Sequence, residues 1–198
     1  MRIVLLGPPG AGKGTQATRI VDEVRVPHLS TGDMLRAAAL ADTEFGSEVR
    51  QTMASGQLVS DQVIVAAVME RISLPDARRG FVLDGFPRTM SQAVTFDDHL
   101  DRQGMTLDHV IELRADEEIL LDRIMTRAQQ ARETGSAARA DDNRDTLKVR
   151  LDAYNELTAP LIEYYRERSL LRSIDGLQAV DDVTADLLKV IGSGSSVA

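Results

Sequence analysis

The stretch Ile3-Val4-Leu5-Leu6-Gly7-Pro8-Pro9-Gly10-Ala11-Gly12-Lys13-Gly14-Thr15 sets the reading of the whole chain. Four consecutive apolar residues bounded by Gly and Pro have the pattern of a short strand buried in a parallel sheet. After the glycines, Gln16 to Val24 carries Ala17, Ile20, Val21 and Val24 at helical spacing, so the order is strand, loop, helix. Glycines let successive backbone N–H groups turn inward as a nest for phosphate oxygens, at the start of a helix whose dipole also favours anions. Lys13 adds a full positive charge on a flexible stem. It is one of only three lysines, with Lys148 and Lys189, against twenty arginines. A glycine-rich turn with an incidental lysine would not require this context. The segment reads as a phosphate-binding loop, with Gly10, Ala11, Gly12, Lys13, Gly14 and Thr15 as the candidates that hold a triphosphate.

Outward from the loop, Phe81-Val82-Leu83 and Val110-Ile111-Glu112-Leu113 read as further core strands, Leu170 to Ile174 as a fourth and Val26 to Leu29 as a weaker one. Helical patterns lie between them: Ile64, Val68 and Ile72; Ile119, Leu120 and Ile124 after an Asp116 N-cap; and Val183, Leu187, Leu188 and Ile191. Alternating strands and helices predict an α/β fold with a central parallel sheet, whose ligands sit at the carboxyl ends of the strands. Residues 30–59 are helical without a strand and form a small excursion. Residues 128–140 are small and polar and read as a mobile loop, and residues 192–198 as a disordered tail.

Bulk properties bound the function. The 198 residues suit one domain with small appendages. A net charge of −8 argues against a broad nucleic-acid-binding face, so positive charge must be concentrated locally. There is no cysteine, hence no disulfide and no thiolate zinc site. No apolar run approaches the roughly eighteen residues of a membrane span, and Gly7-Pro8-Pro9-Gly10 interrupts the N-terminal apolar run before a signal peptide could form. A cytoplasmic protein is expected.

The loop departs from the general pattern in one respect. Ser or Thr should follow the lysine directly, but here Gly14 intervenes and the hydroxyl comes at Thr15. Gly-Lys-Gly-Thr resembles the nucleoside monophosphate kinases. Ser30-Thr31-Gly32-Asp33-Met34-Leu35-Arg36, Gly56-Gln57-Leu58-Val59-Ser60-Asp61 and Asp84-Gly85-Phe86-Pro87-Arg88 with Gln92 are similar to segments of the adenylate kinases within that family, over residues 1 to about 191. The resemblance implies a three-layer αβα core (1–29, 60–125 and 143–191), a monophosphate-binding insertion (30–59) and a short lid (126–142). It implies AMP contacts from Thr31, Arg36, Gln57, Leu58, Val59, Gly85, Phe86, Pro87, Arg88, Gln92, Arg139 and Arg150. On the ATP side it adds Arg127 and Gln178 to the loop. Its catalytic set is Lys13, Asp84, Arg88, Arg123, Arg127, Arg139 and Arg150. It further implies Mg²⁺ carried with ATP through water and phosphates near Asp84, no direct protein ligand, no structural zinc, and a monomer whose small molecules are ATP, AMP and ADP.

Each residue type suits the chemistry. Two facing nucleotides bring roughly five or six negative charges together, and guanidinium forks meet phosphate oxygens in pairs without deprotonating. The accepting oxygen is already anionic, so no general base is required, and His28, His99 and His109 read as structural. Gln92 has two readings. Thr89-Met90-Ser91-Gln92 fits a helix capping box, whereas a carboxamide can also donate and accept against a purine; adenine recognition is favoured here. Asp84 ends a strand as a magnesium-facing carboxylate or a turn residue. Asp141 and Asp142 either orient lid arginines or open the next helix. A lid that closes only over both nucleotides would exclude water and contribute to the turnover limit. Two alternatives remain at this point: a UMP/CMP-type kinase sharing the same machinery, and an inactive nucleotide-binding regulatory module.

Overall fold

The computed structural model describes residues 1–133, 141 and 143–193, without the side chains of residues 128, 131, 132 and 193. Residues 134–140 and 142 of the expected lid, Arg139 among them, and residues 194–198 of the expected tail lie outside the described residues.

Five strands, β1 (Arg2–Leu6), β2 (His28–Ser30), β3 (Phe81–Asp84), β4 (His109–Arg114) and β5 (Leu171–Asp175), form one parallel sheet in the order β2-β3-β1-β4-β5. The apolar run that opens the chain becomes β1, central in the sheet and buried from Ile3 through Leu6. Alternate residues of each strand serve opposite faces. Val4, Leu6, Leu83 and Val110 enter a core with α4 (Asp61–Ser73), α5 (Met90–Arg102) and α8 (Pro160–Glu167). Ile3, Leu5, Val82 and Ile111 enter the other, with α1 (Lys13–Val24), α6 (Glu117–Glu133) and α9 (Val180–Ser193). Burial on both faces is why these strands read as continuous apolar runs. Order 2-3-1-4-5 reverses direction on either side of β1, and the loop that follows β1 opens at that crevice.

The excursion after β2 is α2 (Thr31–Ala39) and α3 (Glu44–Ala54), helical as the sequence indicates. Three details differ from the sequence reading. Helix α6 continues through Glu133 into the stretch expected as a mobile loop. Ala128-Gln129-Gln130-Ala131-Arg132-Glu133 lacks core-forming residues but consists of strong helix formers, and Gln129 Nε2 donates to Glu133 Oε1 at 2.8 Å one turn on. Ile119 is 42% exposed, whereas Leu120 and Ile124 are buried on the core-facing stripe. At the chain's other end α9 runs to Ser193, past the Gly192 at which the tail was expected to begin.

Helix α7 (Arg144–Ala153) passes through a π-helical turn, Tyr154–Thr158, into α8. Its N-cap is Asn143, whose Oδ1 accepts from the Thr146 N–H at 2.9 Å, leaving Asp141 for another role.

Candidate functional site

The loop after β1 has the backbone that its glycines permit. Gly10 and Gly12 have φ of 89° and 95°, and a Cβ at Gly10 would press on Ile124 and Leu120 at 3.2–3.3 Å. The loop therefore rests on α6, while a Cβ at Gly12 would meet nothing within 4 Å. Gly12 is the left-handed N-cap of α1, with no side-chain cap, so the first N–H groups of that helix face the crevice. Lys13 curls back over the loop, its Nζ donating to Gly7 O at 2.7 Å and Pro8 O at 2.9 Å. Burial pushes its ammonium down to about 8; Asp84 opposes the shift, and Arg88, Arg150 and Arg127 add to it. Lys13 thus stands in a field of converging guanidinium groups.

Two clefts meet at this field. The first, about 620 Å³ including its open mouth, lies between the α2–α3 excursion and the sheet edge. Thr31, Arg36, Gln57, Leu58, Val59 and Gln92 line it. The second, about 520 Å³, runs along the loop past Gly7, Pro9, Lys13 and Tyr154. Arg88, Arg150, Gly85, Gly56 and Leu58 belong to both walls.

Arg88 is fastened at three points. Its N–H donates to Gln92 Oε1 at 2.7 Å, its Nε to Gly85 O at 2.7 Å, and its carbonyl accepts from the Thr158 hydroxyl at 2.8 Å. Burial and then the nearby Arg150 lower its pKa from the usual arginine value. Such crowding of cations is unfavourable without an anion, and an anion is what the arrangement selects. Arg150 pairs with Asp141 at 2.7 Å, so Asp141 orients an arginine rather than capping α7. Arg36 is paired with Asp33 beside the first cleft. Arg127 adds its charge at Lys13. Arg123 takes a different place: it donates to Gly176 O at 2.8 Å and Leu177 O at 3.4 Å, bracing the turn that leads to Gln178. Gln178 folds its own side chain onto Asp175 O and Asp186.

Asp84 closes β3 next to the loop: a Cβ on Gly14 would lie 3.3 Å from its Oδ2. Burial works against its charge, but His28, Lys13 and Arg88 outweigh it and hold the carboxyl below the ordinary range. His28 Nε2 is 3.7 Å from Asp84 Oδ2, beyond hydrogen-bond reach, so it acts through the field, and this nitrogen has no hydrogen-bond partner among the described residues. Among the described residues no three His, Cys, Asp or Glu side chains gather as a metal cluster. A single ionised carboxylate beside a phosphate-binding loop suits a hard cation such as Mg²⁺, which keeps most of its waters and takes phosphate oxygens.

Both readings of Gln92 bear on its surroundings. Its N–H donates to Thr89 Oγ1 at 3.2 Å, so Thr89 caps α5, while its Oε1 serves Arg88 one residue before the position a capping box would use. Its Nε2 donates to Asp61 Oδ1 at 2.7 Å. The buried carboxamide still lines the first cleft. Phe86 packs in the core, edge-on to Phe96 at 5.4 Å, and so supports the turn from behind. Thr31, 1% exposed, ties that turn to α2 by donating to Gly85 O at 2.9 Å. Sequence reasoning missed Tyr154 and Thr158, which belong to no motif and reach the site only because the π-helical turn lies against it. It also missed the part played by Asp61.

A parallel sheet with a glycine loop at its reversal point, facing a second cleft across shared arginines, defines a phosphate-binding-loop nucleotide phosphotransferase. The family model for adenylate kinase matches residues 5–170. The chain is similar to the adenylate kinase of Methylobacterium radiotolerans, 52% identical over 191 residues that make up 96% of either chain. It is similar also to that of Methylobacterium nodulans (54% identical, 93% of this chain and 92% of the relative) and that of Nitrobacter winogradskyi (50% identical, 96% and 93%). The chain belongs to the adenylate kinase family and is a nucleoside monophosphate kinase. The pyrimidine-kinase and inactive-module alternatives are not favoured.

Proposed function

We propose that the first cleft takes AMP, the loop and second cleft take the phosphates of Mg-ATP, and the reaction ATP + AMP ⇌ 2 ADP occurs where the two walls share Arg88 and Arg150. That shared wall is the observation that carries the assignment. An acceptor phosphate reached from one cleft and a terminal phosphoryl group reached from the other would meet the same two guanidinium groups. The acceptor oxygen attacks phosphorus in line, the bond from phosphorus to the bridging oxygen of ADP breaks, and no proton has to be removed. Lys13, Arg88, Arg127 and Arg150 stabilise the charge that spreads over the equatorial oxygens, with Arg36 on the AMP side. Arg139, outside the described residues, joins them by family analogy.

Gln92 and the carbonyls of the 56–59 segment recognise the base of AMP, and the turn at Gln178, braced by Arg123, receives the adenine of ATP. Asp84 would hold the water shell of a magnesium ion carried with ATP, and that ion would supply charge neutralisation for the phosphates. In this reading residues 30–59 are the monophosphate-binding domain and 126–142 the lid of a monomeric, cytoplasmic enzyme. Among the described residues no helix is long and apolar enough to cross a membrane. The test is an exchange assay with ATP and AMP, CMP, UMP or GMP, with magnesium present and omitted. AMP is expected as the preferred acceptor and the rate should collapse without magnesium. A preference for a pyrimidine monophosphate would overturn the assignment.

A further inference from the structure

Asp61, the first residue of α4, lies where the chain returns from the α2–α3 excursion to the core. Its two carboxylate oxygens are both used: Oδ1 accepts from Gln92 Nε2 at 2.7 Å and Oδ2 from the Thr89 hydroxyl at 2.7 Å. The other end of the Gln92 carboxamide, Oε1, accepts from the Arg88 N–H at 2.7 Å. A carboxylate can only accept and a backbone N–H can only donate. Rotating the carboxamide by half a turn would set its oxygen against the Asp61 carboxylate and its NH₂ against the Arg88 N–H. Both contacts would become repulsive inside a site where Gln92 is 2% exposed.

We infer that Asp61 is a specificity-positioning residue, locking the Gln92 carboxamide in one orientation so that the acceptor cleft distinguishes a 6-aminopurine monophosphate from its 6-oxo counterpart. After its protein bonds, the carboxamide retains one N–H on Nε2 and one lone pair on Oε1. A 6-aminopurine presents an acceptor at N1 beside a donor at the 6-position, and a 6-oxopurine presents the reverse. A freely rotating carboxamide can satisfy either edge by turning over. A locked one satisfies a single order and leaves the wrong base with an unpaired polar edge, the kind of mismatch that discriminates strongly. The inference rests on the proposed reading of Gln92 as a base contact. A carboxylate serving only as a favourable first-turn charge of α4 would alter stability without altering this choice.

The test is Asp61→Asn, which keeps the shape but supplies an amide that can itself turn over and meet either orientation of Gln92. Initial rates are compared for AMP and inosine monophosphate, which differ at the 6-position and N1 alone. The ratio of kcat/KM values should fall by about tenfold or more, with the change in KM for the monophosphate and little change in KM for ATP. A thermal melt shows that the variant is folded. A ratio within about twofold of the parent would overturn the role of Asp61. Gln92→Met separates the two levels: if it leaves the ratio intact, Gln92 does not read the base. If it collapses the ratio while Asp61→Asn does not, only the locking role fails. The double variant should show the ratio of Gln92→Met alone, since without the carboxamide there is nothing to lock.

Discussion

Lys13→Met should make the nucleotide-free protein more stable while removing its activity. The ammonium sits where burial and three arginines disfavour its charge, so its pKa falls from 10.5 to about 8. At about 1.4 kcal/mol per pKa unit, keeping it protonated below that pH costs the folded state about 3 kcal/mol. Methionine removes that cost but also the bonds to Gly7 O and Pro8 O. These carbonyls are beside an open cleft and can take up water, so their loss offsets about 1 kcal/mol. A net gain of about 1–2 kcal/mol remains, or a rise of about 3–6 °C in Tm for a chain of this size. The pH dependence has a definite sign. Between about 8 and 10.5 the unfolded chain holds a proton on Lys13 that the folded chain has released, so the parent gains stability with rising pH and loses it as pH falls through the folded pKa. Urea unfolding of both proteins at intervals from pH 7 to 10 should show the advantage of Lys13→Met shrinking, by up to about 1.4 kcal/mol per pH unit in that window. Phosphoryl transfer, followed as ADP formation, should drop by roughly 10²–10³-fold or more in kcat. A variant less stable than the parent at pH 7, or a gap that does not change with pH, would refute the reasoning.

Arg88→Ala should lower kcat/KM for AMP by about 10²-fold and affect KM for ATP far less; steady-state rates with either nucleotide varied check this. Thr158→Val keeps the shape of a buried residue but leaves the Arg88 carbonyl without its 2.8 Å donor, which should cost about 1–3 kcal/mol in urea unfolding. Because the same bond seats Arg88, KM for AMP should rise, and restoring a hydroxyl with Thr158→Ser should recover most of it. Far from the clefts, Asp97 accepts from the hydroxyls of Tyr164 at 2.9 Å and Tyr165 at 3.5 Å, the second of these side chains fully buried. Asp97→Ala should cost about 1–3 kcal/mol by unpairing them, with kcat unchanged at a temperature where the variant remains folded.

What could be read from the sequence follows the range over which each interaction acts. The phosphate-binding loop, the apolar runs of β1, β3 and β4, and the faces of α4 and α9 are local patterns, and each lies within a residue or two of its expected place. The extent of α6 is not legible from the lack of core-forming residues after Arg127, because Ala, Gln, Arg and Glu sustain a helix on propensity. The run Asp141-Asp142-Asn143 offers three residues of capping type, and spacing alone cannot choose among them. The choice is made by Arg150, nine residues away and one helix further on, which takes Asp141 and leaves Asn143 as the cap. The same holds with more consequence around Arg88. Its motif marks it as functional, but what seats it is Thr158 from seventy residues later, and what orients its neighbour Gln92 is Asp61 from thirty-one residues earlier. Thr158 carries no signal of its own, and Asp61, though it closes the segment Gly56–Asp61, shows nothing of this role, because a Thr on a helical turn and an Asp at a helix start are ordinary residues there. The charged groups proposed to meet phosphate are therefore legible as motif. The groups that determine how those charges are held become visible only when the helices are packed, and the proposed choice between two purines depends on them.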